Sequence, residues 1–129
     1  MVIDEKTQIK ILIILTVLSI IFFLISPFET VKIIYFTNPS CILTHKTDII
    51  IDEIKSDFDK TIQVREIKVS MYEGDPLDTD EVKELREKYE VYGVPVIIIN
   101  GKEFTKEYTK NNLKQEICRN FIIKPEVCR

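Results

Sequence analysis

The sequence predicts an α/β domain with a mixed central sheet flanked by helices, preceded by one transmembrane helix. Three observations predict it. The eighteen residues 11–28 carry no charge, and Lys10 and Glu29 bracket them. The rest of the chain alternates between strand-like apolar runs and stretches with helical apolar spacing. Asn100-Gly101 falls between two strand-like runs, a strong short-range hairpin signal.

At a helical rise of about 1.5 Å per residue, eighteen residues span roughly 27 Å, close to the thickness of a hydrocarbon core. A cleaved signal peptide would show a shorter apolar stretch, of about 7–15 residues, and small residues at the cut. Here Ser26-Pro27-Phe28-Glu29 follow, and the chain contains no alanine. A buried helix of a soluble core would keep a polar stripe, whereas this segment is apolar all round. We read it as an uncleaved anchor. Lys6 and Lys10 precede it, and the next cation is Lys32. That bias sets the N-terminus in the cytoplasm and the soluble domain on the extracytoplasmic side. The expected organisation is a tail over 1–10, an anchor over 11–28, a folded domain over 29–120 and a C-terminal tail over 121–129.

The elements follow in order. Val31 to Phe36 is β-branched and aromatic, as a buried strand requires. Asn38-Pro39-Ser40 stops it, with Ser40 as the expected N-cap of a helix from about Cys41 to Lys55. Ile42, Ile49, Ile50 and Ile54 form its expected apolar face, with Lys46, Asp48, Asp52 and Lys55 mostly turned away. Thr61 to Val69 alternates as a second strand, with Glu66 breaking the face. After the loop Tyr72-Glu73-Gly74-Asp75-Pro76, Asp78 and Glu81 resemble a capping box for a helix bearing Val82, Leu85 and Tyr89. Val94 to Ile99 is the third strand, and Lys102 to Phe104 returns after the Asn-Gly turn. A last helix spans about Thr109 to Asn120, with Leu113, Ile117 and Phe121 on one face. The β-α-β start implies parallel strands, and the hairpin makes the last pair antiparallel.

The formal net charge is −3, with no basic stripe or arginine-rich arm, so no nucleic-acid partner is expected. His45 is the only histidine and has no cysteine pair nearby, so it is read as a solvent-facing helix residue and no metal site is expected. No cofactor is expected either.

Over roughly Val31 to Asn120 the chain resembles the thioredoxin family. Two stretches carry the resemblance. Tyr35-Phe36-Thr37-Asn38-Pro39-Ser40-Cys41-Ile42-Leu43-Thr44 looks like the family's strand, active-site loop and helix start. Tyr92-Gly93-Val94-Pro95-Val96-Ile97-Ile98-Ile99-Asn100-Gly101-Lys102 looks like its cis-proline strand and hairpin. The family's Cys-x-x-Cys motif reads Cys41-Ile42-Leu43-Thr44 here, without the second cysteine. The family's buried acid and its tryptophan before the motif have no evident counterpart.

The resemblance implies that Cys41, at a helix start, is the reactive thiol. Amide N–H groups there favour thiolate, the attacking species in disulfide exchange. Thr44 stands at the resolving position and cannot attack a mixed disulfide, although its hydroxyl could donate to the Cys41 sulfur. Release would then come from the substrate's second thiol, a small thiol or a partner, which suits isomerisation or a relay step. Pro95 is expected to be cis, presenting the Val94 backbone to an extended peptide. Cys118 and Cys128 form the expected disulfide of an oxidising compartment, leaving Cys41 free; two reduced cysteines are the alternative. The expected partners are a cysteine-containing protein substrate or a membrane redox protein, and the membrane itself through 11–28. The main alternative is a redox-inactive module that binds a peptide or membrane protein through the Cys41–Pro95 surface. A peroxidase-like cysteine is weaker, since no peroxide-stabilising arginine is identifiable near Cys41.

Overall fold

A computed structural model describes residues 2–25, 30–70 and 72–129. Helix α1 runs Glu5–Ile25, and the expected anchor residues 26–28 lie outside the described residues. The helix starts six residues before the expected span because Glu5, Lys6 and Lys10 extend it as a polar first turn and a half. Its window Glu5–Leu24 has a mean hydropathy of 2.4, and none of that window is buried against the domain. The helix is long and apolar enough to cross a bilayer.

The domain then follows the predicted order: β1 (Val31–Thr37), α2 (Ile42–Phe58), β2 (Ile62–Lys68), α3 (Asp80–Lys88), β3 (Val96–Ile99), β4 (Lys102–Glu103) and α4 (Lys110–Arg119). The sheet order is β2-β1-β3-β4. Strand β1 is parallel to β2, with Val31 opposite Ile62 and Thr37 opposite Lys68. It is antiparallel to β3, with Ile33 opposite Ile99 and Phe36 opposite Val96. Central β1 is therefore covered on both faces, which its near-continuous apolar run requires.

Alternation along β1 builds two cores. Val31, Ile33 and Tyr35 join Ile51, Ile54 and Phe58 of α2 and Leu113 and Ile117 of α4 on one face. Phe36 joins Ile67, Val69, Val91 and Ile98 on the other, where Val82, Leu85 and Tyr89 pack from the α3 region. Glu66 interrupts the apolar face of β2 that Ile62 and Val64 begin. It stays in register on the α2 face and pairs with Lys55, while Ile67 and Val69 turn to the opposite core.

Two predicted helix details are corrected. The buried face of α2 is Thr44, Thr47, Ile51, Ile54 and Phe58, whereas Ile42 and Ile49 are exposed. The apolar count misled because small threonines fill the narrow space nearest the sheet. Helix α3 is capped by Thr79, whose side chain accepts from the Val82 N–H, and not by Asp78. Asp78 instead pairs with Lys83 at 3.6 Å.

Candidate functional site

The site forms where β1 ends and α2 begins. Asn38 is buried, and its side chain donates to the Val69 carbonyl at 2.7 Å while accepting from the Ser40 N–H at 2.7 Å. That Asx-type turn fixes Pro39 and Ser40. The Cys41 N–H donates to the Asn38 carbonyl at 3.0 Å. Cys41, in extended conformation, occupies the N-cap of α2, and its side chain makes no capping hydrogen bond. The expected Ser40 cap is thus displaced by one residue, because the Asn38 turn carries the chain past Ser40 before it coils. Cys41 is partly exposed and is the free thiol among the described cysteines.

Thr44 is buried, in the first turn of α2. Its Oγ1 lies 2.7 Å from the Asn38 carbonyl oxygen and 2.7 Å from the Cys41 carbonyl oxygen. Its single hydroxyl hydrogen is directed at backbone, so the suggested donation to the Cys41 sulfur is corrected: Thr44 secures the loop that carries the thiol.

An acid does stand behind this loop, on α2. Asp48 Oδ1 accepts from the Tyr35 hydroxyl at 2.7 Å and from the Thr37 hydroxyl at 3.2 Å. The Tyr35 hydroxyl also lies 3.3 Å from the Thr44 carbonyl oxygen. Burial pushes the Tyr35 phenol well above its ordinary range, and the hydrogen bond to Asp48 and that carboxylate's charge add to the rise. Asp48 was read from sequence as turned away. Its position four residues after Thr44, on the same helix face, was the available signal.

The Val94–Pro95 peptide is cis. It precedes β3, whose first residue Val96 pairs with Phe36, so Val94 and Pro95 lie at the same end of the sheet as Cys41. The Tyr108 hydroxyl donates to the Pro95 carbonyl at 3.2 Å. Beside Cys41 an open groove of about 400 Å³ is lined by Pro39, Ile42, Leu43, Tyr72, Asp75 and Leu77. Ile42 and Tyr72 are 87% and 79% exposed, and Leu43 and Tyr92 are exposed too. Sequence reasoning placed Ile42 in the core and gave Tyr72 and Tyr92 no role.

Cys118 and Cys128 are bonded to each other, with Cα atoms 5.6 Å apart. The end of α4 that carries Cys118 is fastened near the start of β1: Asn120 pairs with Asn100 at 3.3 Å, and the Lys32 N–H donates to Asn100 at 2.9 Å. The structure therefore brings Cys41, Thr44 and the Val94–Pro95 segment to one end and leaves the disulfide pair apart from them. His45 is exposed, and no group of metal-ligating side chains occurs among the described residues.

A βαβ unit, an antiparallel hairpin pair and helices on both faces define a thioredoxin-like fold, and Cys41 stands at the start of α2 within it. Solved structures agree. The chain is similar to thioredoxin from Wuchereria bancrofti, with 22% identity and a TM-score of 0.50 over 61% of this chain and 68% of that one. It is similar to tryparedoxin I from Leishmania major, with 18% identity and a TM-score of 0.52 over 76% and 82%. A malarial protein aligns over 72% of this chain and 99% of its own, with 19% identity and a TM-score of 0.53. No protein-family model matches the sequence, and no curated protein matches it.

Proposed function

We propose that this chain performs thiol–disulfide exchange through Cys41 alone, as a single-pass membrane protein with its soluble domain on the extracytoplasmic side. The observation that carries this reading is the placement of Cys41: a free, partly exposed thiol at the N-cap of α2, bordered by an apolar groove. In the reaction the Cys41 thiolate attacks one sulfur of a substrate disulfide. A mixed disulfide forms and the substrate's other sulfur leaves as thiolate. Thr44 offers no sulfur to attack the mixed disulfide from within and release the substrate reduced, and the Cys118–Cys128 pair is fastened elsewhere. A thiolate from a different cysteine of the substrate then attacks the mixed disulfide at its substrate sulfur, makes a new substrate pairing and releases the Cys41 thiolate, with no net oxidation, as in isomerisation. Where the attacking thiolate belongs to a partner protein, the disulfide is passed on to that partner, as in a relay. Exposed Ile42, Leu43, Tyr72 and Tyr92 favour protein substrates whose cysteines are flanked by apolar residues.

The test is trapping. Wild-type protein in its native membrane should accumulate covalent adducts, visible on non-reducing gels and abolished by reductant or by Cys41→Ser. The same apolar rim also supports the alternative of a binding module. Absence of thiol-dependent adducts, together with partner capture unchanged in Cys41→Ser, would reject exchange and leave binding. The anchor is tested separately by the mass of the mature protein in the membrane fraction; an N-terminus near Glu29 would identify α1 as a removed signal sequence.

A further inference from the structure

We propose that Ile122 and Ile123, with the cations near them, seat the domain on an anionic lipid surface and so turn Cys41 toward water. This rests on the reading of α1 as a membrane anchor. Ile122 and Ile123 are 91% and 78% exposed. An adjacent exposed isoleucine pair is held in place from both sides. Before it, Phe121 is buried and stacks on Phe58 with ring centres 6.4 Å apart, and Asn120 is bonded to Asn100. After it, the Cys118–Cys128 disulfide closes the tail back onto α4.

The register shows which end of the domain this is. Asn100 accepts from the Lys32 N–H and its own N–H donates to the Lys32 carbonyl, so the pair lies near the start of β1. The start of β1 is also where the chain arrives from α1: only residues 26–30 separate Ile25 from Val31. A fully extended segment of that length reaches about 20 Å, so this end of the domain stays close to the point where the helix leaves the bilayer. Cations gather in the same segments. Lys124 follows the isoleucines, Lys32 is the second residue of β1, Lys102 follows the hairpin turn, and Lys60 lies just before Ile62, the partner of Val31; all four are exposed. Against them stand Asp59, Glu126 and Glu103, the last beside Lys102, while Arg119 is paired with Glu116 at 3.3 Å. Exposed apolar side chains with lysines at the same end of the sheet suit the headgroup region of an anionic membrane, and the tether makes that membrane the surface at hand. Cys41 sits beyond the other end of β1, which at about 3.3 Å per residue is roughly 20 Å farther out.

The chain contains no tryptophan, so one introduced residue is a sole reporter. Full-length Ile123→Trp and, as a check on the site, Ile122→Trp are reconstituted in vesicles of equal parts phosphatidylcholine and phosphatidylglycerol, with or without brominated acyl chains. Tyr72→Trp reports the Cys41 end. Flotation establishes that each protein is in the vesicles. The expected result is emission quenched roughly twofold by brominated lipid for both isoleucine variants, no quenching for Tyr72→Trp, and weaker quenching in pure phosphatidylcholine. Protein that floats with all three reporters unquenched, or all three quenched alike, would overturn the seat while leaving the anchor intact. Blue-shifted but unquenched emission at 122 and 123 would show that a protein covers the tip instead. Quenching that ignores phosphatidylglycerol would overturn the role of the lysines. Failure to float would remove the anchor, and this proposal with it.

Discussion

At the scale of single residues, Thr44 shows how a position can lose one chemistry and keep another. Its hydroxyl joins the Asn38 and Cys41 carbonyls under the reactive loop. Thr44→Val keeps the shape and removes the donor; it should lower stability by about 1 kcal/mol, the net worth of a typical buried hydrogen bond, measured by urea unfolding. Thr44→Ser should cost less, since the donor survives. Thr44→Cys should supply the missing sulfur: adducts on Cys41 should fade and dithiol-dependent reductase activity should appear, read by gel and by insulin precipitation. If adducts persist unchanged in that variant, a second thiol at this position does not reach the Cys41 sulfur. Glu90 is a second informative residue. It has φ +52°, a left-handed conformation that disfavours a side chain. The hydrogen bonds from Val91 to Arg86 and from Glu90 to Glu87 close the Schellman pattern there. Glu90→Gly should raise stability by about 0.5–1 kcal/mol, seen as a higher denaturation midpoint.

Whole elements are set by how their faces match the two cores. Helix α2 contributes Ile51 and Ile54 without any exposed surface. Ile51→Ala should destabilise by about 2–5 kcal/mol, at the upper end if the surrounding core cannot close the gap; calorimetry of the variant checks it. The hairpin turn needed less context. Asn100 and Gly101 both have positive φ, +46° and +83°, as the two-residue turn demands. Periodicity and turn chemistry located β1 to β4 and α2 to α4 to within about three residues. The internal details of the helices were less legible. Spacing alone placed Ile42 and Ile49 inward, while the packed sheet admitted Thr44 and Thr47 there instead. The cap of α2 followed the same pattern: Ser40 is the better capping side chain, yet the turn held by Asn38 and Val69 decides where the coil begins.

For the molecule as a whole, the tail disulfide and the buried phenol govern stability. Opening Cys118–Cys128 by Cys128→Ser frees a loop of sequence separation 10 and should cost about 2–3 kcal/mol on a loop-entropy estimate, with the thermal midpoint falling accordingly. Tyr35 sets an alkaline limit. Its folded phenol titrates above its unfolded value, chiefly through burial. The stabilisation is therefore complete below the unfolded pKa of about 10 and is lost as pH rises from there toward the folded value. Urea midpoints should fall between about pH 9.5 and 11 in wild type and fall less steeply in Tyr35→Phe, which has no phenol to ionise. Equal slopes would mean that Tyr35 is not the group responsible.

The sequence by itself determined the order of elements, the mixed sheet, the hairpin, the apolar N-terminal helix and the candidate thiol. All but the thiol rest on local rules: the periods of helix and strand, the φ demands of Asn-Gly, and the length of an uncharged run; Cys41 was singled out by the resemblance over Tyr35 to Thr44 and by its place at a helix start. The short loop between Cys118 and Cys128 made their pairing the expected one for an oxidising compartment but left two reduced cysteines open, and the structure shows the bond. Only the tertiary structure decided what surrounds the thiol. Tyr35, Thr37 and Asp48 meet because β1 and α2 pack face to face, and no spacing rule links a strand residue to one on the following helix. The same packing turned Thr44 from a donor toward sulfur into a backbone latch. It also placed Cys41 and the isoleucine tip at opposite ends of β1, because strand direction becomes a direction in space only once the register is fixed.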